Sequence, residues 1–437
     1  MNCKAILTTA AAGAVLSVFS AVPVPEVTVS GMSQDSKGVA IISYTLSSAD
    51  AVVTLDIETN VTGNVWASIG GAAVSSAQGD VWKRVEIGSR AIKWDGASCW
   101  TDHKIPANGI RAVVTAWSLD NTPDYMAVDI SSAAQPDTQT YYPAADFVPG
   151  GVSNGLYKTT MLLMRKIMAK DVKWTMGSVA EASRNPDREA THLVTLTNNY
   201  YIGVFEVTQT QWEQVTGYNP SYFTYKSSMR PVENVCYNDV RHGEGAKNSP
   251  ASATGGIYPD PPNGNSFLGK LRTTTGIDFD LPSEAQWEFA ARAGHGEGYW
   301  GNGAPITRAG QDPALDELGR YNPSRSYSGG SNPPAATIPM TEGGTAIVGT
   351  YIHNSWGLYD MHGNVNELCL DALAANISSL NGAVNIVLDG YSTRVFRGGS
   401  WASSYAYECR SSYRSGPPQN GRRTHVGLRV ACPVELQ

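Results

Sequence analysis

The chain has 437 residues, of which 42% are hydrophobic and 16% charged, and its net charge at neutral pH is −7. This length and hydrophobic content predict two or three domains with cores of their own. The 44 glycines and 24 prolines favour strands and loops over a helical bundle. Without a basic patch, we do not expect nucleic acid as a partner.

Residues 1–21 predict a secretory signal peptide. Lys4 precedes an apolar stretch over residues 5–19, and the small residues Ser20 and Ala21 follow it. The apolar stretch is shorter than the roughly 20 residues that a membrane-spanning helix needs, so a membrane anchor is the weaker interpretation. No second spanning run follows. We therefore expect an exported protein, in the periplasm, at the cell surface or outside the cell.

Five cysteines would remain after cleavage. An exported protein can form disulfides, but an odd number leaves at least one thiol unpaired or intermolecular. Spacing alone does not give the pairing. These cysteines are Cys99, Cys236, Cys369, Cys409 and Cys432.

Residues 24–131 predict an all-β sandwich. Val53, Leu55 and Ile57 alternate with polar residues, which is the pattern of a half-buried strand. Residues 94–96 read Trp-Asp-Gly and residues 105–109 read Ile-Pro-Ala-Asn-Gly. These two turns resemble those of the small immunoglobulin-like module of flagellar hook-capping proteins. Five tryptophans of this region could stack on sugars, but we expect them to pack in the core and rim of the sandwich.

Residues 132–155 are rich in Ser, Ala, Pro, Asp, Thr and Gly, which predicts a linker. Beyond it, two helix starts are visible in the sequence. Thr208 with Gln211, and Ser283 with Gln286, have the spacing of a capping box. Gly217 and Gly294 follow these helices at the position of a C-terminal stop. Residues 243–264 predict a surface insertion.

Four sequence blocks carry a family resemblance. Residues 397–401 read Arg-Gly-Gly-Ser-Trp, residues 409–414 read Cys-Arg-Ser-Ser-Tyr-Arg, and residues 427–430 read Gly-Leu-Arg-Val. The fourth block, residues 279–294, contains Leu-Pro-Ser-Glu-Ala-Gln-Trp-Glu-Phe-Ala. Together they resemble the sulfatase-modifying factor (formylglycine-generating enzyme) family. The resemblance covers residues 156–433 and implies an irregular α+β domain, distantly like the C-type lectin fold, behind the all-β sandwich.

The same resemblance identifies a degenerate catalytic site. Catalytic members hold copper(I) with two cysteines, three and eight residues after the Ser of Gly-Gly-Ser. In this chain Ser400 matches that serine, Ser403 occupies the first cysteine position and Glu408 the second, with the nearest thiol at Cys409. Copper(I) is a soft ion that prefers sulfur ligands, so we do not expect copper here. We expect Cys409 to be buried or disulfide-bonded, with Cys432 as one candidate partner.

Residues 357–367 predict a structural calcium site. Calcium prefers several oxygen ligands on a tightly turned loop. The family's calcium ligands match Asp360 and Glu367 through their carboxylates, and Gly363 and Val365 through their backbone carbonyls. The family's usual Trp beside this loop is replaced by Asn366. A second family calcium site would involve Asn322, where the match is poor.

Two functions remain open from the sequence. The first is a calcium-stabilised module that binds a peptide or a glycan and has lost the oxidase chemistry. The second is a formylglycine-generating oxidase that uses molecular oxygen to convert a sulfatase cysteine, with Cys409 and an unidentified second ligand. A purely structural surface protein is not distinguished from the first. The loss of one cysteine, the shift of the other and the replaced Trp favour the binding module.

Overall fold

The computed structural model describes residues 23–63, 65–101, 109–131, 138–179, 181, 183–225, 227–243, 261–296, 312–321, 344–388 and 392–434. Four sequence predictions lie outside the described residues: the signal peptide at 1–21, most of the turn at 105–109, most of the surface insertion at 243–264, and Asn322. None of the described helices is long and apolar enough to cross a bilayer.

The described chain is mostly strand, with short helices. The strands are β1 Glu26–Gln34, β2 Ala40–Ser47, β3 Ala51–Thr62, β4 Val65–Ser68, β5 Gln78–Gly79, β6 Lys83–Val85, β7 Gly88–Trp94, β8 Ile110–Trp117, β9 Tyr125–Asp129, β10 Gln139–Tyr142, β11 Met161–Ile167, β12 Val172–Met176, β13 His192–Leu196, β14 Tyr200–Gly203, β15 Asn366–Ala372, β16 Ala383–Val384, β17 Arg394–Arg397, β18 Val426–Leu428 and β19 Ala431–Pro433. The α-helices are α1 Gly96–Cys99, α2 Gln209–Thr216, α3 Tyr237–Arg241, α4 Phe267–Thr275, α5 Glu284–Arg292 and α6 Pro313–Asp316.

Strands β1–β8 form the N-terminal sandwich. One sheet has the order β1-β2-β7-β5, and the other has the order β4-β3-β6 with β8 paired to β3. Val53, Leu55 and Ile57 of β3 are buried, as the alternation predicts. Thr54 is buried as well. Its hydroxyl is satisfied there because it accepts a hydrogen bond from the indole Nε1 of Trp117 at 2.9 Å. The strand is therefore buried on both faces at this point.

The structure places the domain boundary before residue 125, earlier than the composition predicted. Strands β9 and β10 join β11, β14 and β19 in one five-stranded sheet of the C-terminal domain. The described part of residues 132–155 contains β10, so it is not a linker. Met126 and Val128 of β9 are buried in the same core as Leu162 and Met164 of β11. The polar segment after residue 131 joins two paired strands, and such turns have the same composition as domain linkers.

The remaining strands of the C-terminal domain form two small sheets, with orders β12-β13-β16 and β17-β15-β18. Both predicted capping boxes are present, at Thr208 before α2 and at Ser283 before α5. Gly217 ends α2 in the left-handed conformation. Helix α5 ends one residue earlier than expected, since Ala293 already takes the left-handed position that was predicted for Gly294.

The sandwich and the C-terminal domain share a hydrophobic core. Tyr44 and Trp82 of the sandwich belong to the same buried cluster as Val204, Phe205 and Val348. The backbone N–H of Tyr141 in β10 donates to the carbonyl oxygen of Trp82 at 2.8 Å. The two units are therefore packed against each other over an apolar surface.

Candidate functional site

A tight turn between β17 and residue 409 carries the predicted catalytic positions. Gly398 and Gly399 both have positive φ, 87° and 71°, a region that non-glycine residues avoid. A Cβ on Gly399 would lie 2.5 Å from the Sγ atom of Cys409. The absence of a side chain at Gly399 therefore leaves room for the Cys409 thiol next to Ser400.

The structure brings Ser400, Ser403 and Cys409 together. The backbone N–H of Ser400 donates to the hydroxyl oxygen of Ser403 at 3.0 Å. Against the larger opposing effect of burial, the Ser403 hydroxyl lies close enough to Cys409 to lower the pKa of the thiol. The residues that the family pattern matches to its copper ligands are thus adjacent, but they supply one hydroxyl and one thiol.

The Cys409 thiol is fully buried. It packs in a small cluster with Leu315, Leu318, Tyr321 and Ala406. Burial, and next the charge of Glu408, raise the pKa of the thiol far above its usual range. Because the thiolate is the reactive and metal-binding form, this environment disfavours nucleophilic chemistry at Cys409.

The described cysteines form no disulfide. Cys432 belongs to the core around β11 and β18, whereas Cys409 lies in its separate cluster. The suggested pairing of Cys409 with Cys432 is therefore not formed, and Cys409 is a buried free thiol. Glu408, at the second copper position, is directed to the local backbone and accepts from the N–H of Tyr405 at 3.4 Å.

Asp360 lies on a tight loop next to this turn. Its backbone has a φ of 56°, and its Oδ2 accepts a hydrogen bond from the Gly349 N–H at 2.6 Å. Its Oδ1 is buried and has no hydrogen-bond partner. Burial raises the pKa of Asp360. An unpartnered carboxylate oxygen at this depth is costly unless something else neutralises it.

Glu367 of β15 is held by two other side chains. Its Oε1 lies 2.7 Å from Nη2 of Arg429 in an ion pair that is buried on both sides. The indole Nε1 of Trp287 donates to its Oε2 at 2.6 Å. Arg429 also donates to the carbonyl oxygens of Gly203 and Tyr359. The sequence analysis gave neither Arg429 nor Trp287 a role at this site.

Glu206 is a third buried carboxylate at the site, and the sequence did not identify it. Burial, followed by the charges of Asp360 and Glu367, raises the pKa of Glu206 well above its usual range. Its oxygens accept from the Val365 N–H at 3.0 Å and from Nδ2 of Asn364 at 2.6 Å. Among the residues that the structure describes, no three His, Cys, Asp or Glu side chains are arranged to hold a metal by themselves.

The turn at residues 398–403 and the predicted calcium loop at residues 360–367 are hydrogen-bonded to each other. The Gly363 N–H donates to the Gly398 carbonyl oxygen at 2.7 Å. The Trp401 N–H donates to the Asn364 carbonyl oxygen at 2.8 Å. Nδ1 of His362 lies 2.9 Å from the Cys409 carbonyl oxygen, which can only accept, so Nδ1 carries the proton. Burial lowers the pKa of His362 to about 4, so the ring is neutral at neutral pH.

Two groups of aromatic side chains flank the Ser400–Ser403 turn. Phe223 packs edge-on against Trp401 with ring centroids 5.0 Å apart, and Tyr222 packs edge-on against Phe223 at 5.0 Å. Tyr405, two residues after Ser403, stacks on Tyr407 at 5.2 Å. Tyr222 is 71% exposed and Tyr405 is 41% exposed. Asn366, at the family's Trp position, is buried and donates to the His425 carbonyl oxygen.

A model of the sulfatase-modifying factor enzyme 1-like domain matches residues 165–434. This is more than half of the chain. The chain belongs to this family. The family and the α+β fold that the C-terminal motifs predict are thereby confirmed.

Individual relatives in the sulfatase-modifying factor family differ in name. A protein named chaperone protein LppX, from Paenibacillus barcinonensis, is 32% identical over 246 residues, which cover 53% of this chain and 80% of the relative. The formylglycine-generating enzyme of Thermomonospora curvata is 32% identical over 160 residues, 35% of this chain and 48% of that enzyme. The chain therefore spans about half the length of that enzyme. Among solved structures, Treponema denticola variable protein 1 aligns with 25% identity and a TM-score of 0.44, over 63% of this chain and 96% of that one.

Proposed function

We propose that this protein binds a polypeptide segment of another exported protein and does not oxidise cysteine. The observation that carries the proposal is the Ser403–Cys409 pair. The family's copper chemistry needs two thiolates, and this site offers one buried thiol whose pKa is raised by burial, with the Ser403 hydroxyl beside it. A serine hydroxyl is a hard, protonated ligand that does not replace a thiolate for copper(I).

The aromatic side chains around the turn support a binding role. Exposed tyrosines provide large contact areas at a low cost in conformational entropy. Tyr222 reaches the turn through Phe223 and Trp401, and Tyr405 follows Ser403 by two residues. A polypeptide is favoured over a glycan because one relative is named a chaperone. A glycan that stacks on the same tyrosines is the alternative outcome.

We also propose that the loop at residues 360–367 binds a structural calcium ion. Two observations support the fit. The first is the buried and unpartnered Oδ1 of Asp360. The second is that burial, together with the neighbouring carboxylates, raises the pKa of Glu206 and of Asp360 despite the opposing charge of Arg429, so this region lacks positive charge.

The calcium ligands would be a carboxylate oxygen of Asp360, a carboxylate oxygen of Glu367 and the backbone carbonyls of Gly363 and Val365. Glu367 would share its carboxylate between the ion and Arg429. When bound, calcium supplies charge neutralisation to a buried, negatively charged loop. It takes no part in a reaction.

The oxidase alternative is tested with a Cys-x-Pro-x-Arg peptide. The purified full-length protein is incubated with the peptide, copper(I), a thiol reductant and oxygen, and the peptide is weighed by mass spectrometry. We expect no loss of mass at the peptide cysteine. Conversion of the cysteine to formylglycine would contradict the proposal and support an oxidase, as in the relatives of that name.

The binding function is tested with arrays of random-sequence peptides and of glycans. We expect the wild-type protein to bind a subset of the peptides, and Tyr222→Ala and Tyr405→Ala to weaken that binding. Leu193→Ala is the matched control, because Leu193 is 48% exposed in the same domain but lies in β13. Binding only to glycans, or equal binding by all variants, would contradict a polypeptide site at this turn.

A further inference from the structure

Glu206 connects two parts of the chain that are far apart in sequence. It lies between β14 and α2 and is fully buried. One of its oxygens accepts from the backbone N–H of Val365, and the other accepts from Nδ2 of Asn364. Both of these donors belong to the turn whose carbonyls at Gly363 and Val365 are proposed as calcium ligands. Glu206 therefore fixes the conformation of that turn from outside it.

Glu206 also belongs to a group of buried carboxyl groups at the site. Besides burial, Asp360 and then Glu367 are the groups that raise its pKa. Oδ1 of Asp360 is itself buried and has no hydrogen-bond partner. Both oxygens of Glu206 are already used as acceptors from the turn. Glu206 is therefore placed to orient the turn and is not available as a simple ligand.

We propose that Glu206 is a positioning residue of the calcium site. It orients the turn at residues 363–365 through its hydrogen bonds to Asn364 and Val365. This inference rests on the calcium site proposed above. Groups that orient metal ligands without binding the metal commonly change metal affinity by about 10–100-fold when they are replaced.

The matched control is Glu233. Like Glu206 it is a fully buried glutamate of the C-terminal domain, and its Oε1 accepts from a backbone N–H, that of Phe223, at 2.8 Å. The hydrogen bonds of Glu233 do not involve residues 360–367. The charge that acts on Glu233 is that of Arg230. Glu206→Gln and Glu233→Gln therefore make the same chemical change at two comparable depths.

The experiment is a calorimetric titration of the chelator-treated full-length protein with calcium chloride alone. We expect the wild-type protein and Glu233→Gln to bind calcium equally. We expect Glu206→Gln to bind about 10–100-fold more weakly, because one of its two acceptor oxygens becomes an amide donor. We expect Glu206→Asp, which keeps both acceptor oxygens on a shorter side chain, to fall between them. Equal affinity of wild type and Glu206→Gln would overturn the inference while leaving the calcium site intact. No calcium binding by the wild-type protein would instead overturn the calcium site itself.

A second readout separates positioning from a general effect on folding. The melting temperature of each variant is measured with calcium and with chelator. A positioning role predicts that Glu206→Gln loses most of the calcium-dependent rise and keeps a melting temperature in chelator near that of the wild type. An equal fall in both conditions, with the calcium-dependent rise preserved, would show a merely structural glutamate and overturn the inference.

Discussion

The hydroxyl of Ser403 lies beside the buried thiol of Cys409. Ser403 occupies the first copper-ligand position of the sulfatase-modifying factor family. Cys409 lies one residue after the second copper-ligand position. The polypeptide turn that brings the two positions together is retained, with its two left-handed glycines. What has changed is the pair of donor atoms, and that change is the basis of the proposed loss of oxidase chemistry.

Restoring a thiol at position 403 should restore copper binding. We expect Ser403→Cys to bind one copper(I) ion per chain, because the second thiol would then lie beside Cys409 and copper(I) prefers paired thiolates. The measurement is a titration with copper(I) against a chromophoric chelator. Ser403→Ala is the control and should bind none. A Ser403→Cys protein without copper would mean that the shift of the second cysteine to position 409 has separated the donors.

His362 should make the protein less stable in mild acid. Its pKa in the folded protein is about 4, below its usual value of 6.5, because it is buried. As the pH falls, the unfolded chain therefore takes up the proton first. The contribution of neutral His362 to the free energy of unfolding is complete above pH 6.5 and is lost as the pH falls towards 4. Between pH 6.5 and 5 the resulting loss in the free energy of unfolding is about 2 kcal/mol.

The test of His362 is urea unfolding at pH 7.5 and pH 5, compared with His362→Gln. Gln keeps a donor for the Cys409 carbonyl oxygen but does not titrate. The wild type should lose about 2 kcal/mol more than the variant on acidification. Parallel losses in the two proteins would contradict a neutral, buried His362.

Removal of calcium should lower the melting temperature. A ligand that binds only the folded state stabilises it by an amount that grows with its concentration over its dissociation constant, about 2.7 kcal/mol at a hundredfold excess. Asp360→Asn should lose this dependence, because it removes a carboxylate whose Oδ1 has no other partner. The measurement is thermal unfolding in calcium and in chelator. An unchanged melting temperature in chelator argues against the site.

Phe205 should couple the unfolding of the two domains. It is buried in the core shared with the sandwich and stacks on Tyr359 at a centroid distance of 5.0 Å. We expect Phe205→Ala to lower the free energy of unfolding by about 3–5 kcal/mol. We also expect it to split a single calorimetric transition into two. Phe289→Ala, in a core cluster without sandwich residues, should destabilise without splitting. A single transition in both variants would contradict the coupling role.

Local features of the fold could be predicted from the sequence. The capping boxes at Thr208 and Ser283 depend on residues three positions apart, so the sequence contains all that determines them. The sandwich boundary could not be placed by composition, because the loop between β9 and β10 uses the same residue types as a linker. Only the pairing of β9 with β11 assigns these strands to the C-terminal domain.

The candidate site also combines local features that the sequence predicts with long-range contacts that it does not. The Gly-Gly-Ser turn and Cys409 are close in sequence, and their contact follows from the spacing and the two glycines. The contact of Glu206 with Val365 joins distant segments, and no spacing rule predicts it. The ion pair between Glu367 and Arg429 is of the same kind, so the charge balance of the calcium loop needed the three-dimensional structure.

The central claim is that Ser403 and Cys409 no longer form a copper site. The most direct measurement is the stoichiometry of copper(I) bound by the purified wild-type protein, determined by titration in competition with a chromophoric copper(I) chelator. We predict no competitive binding by the wild type. One tightly bound copper per wild-type chain, lost in Cys409→Ala, would contradict the account and return the protein to the oxidases of its family.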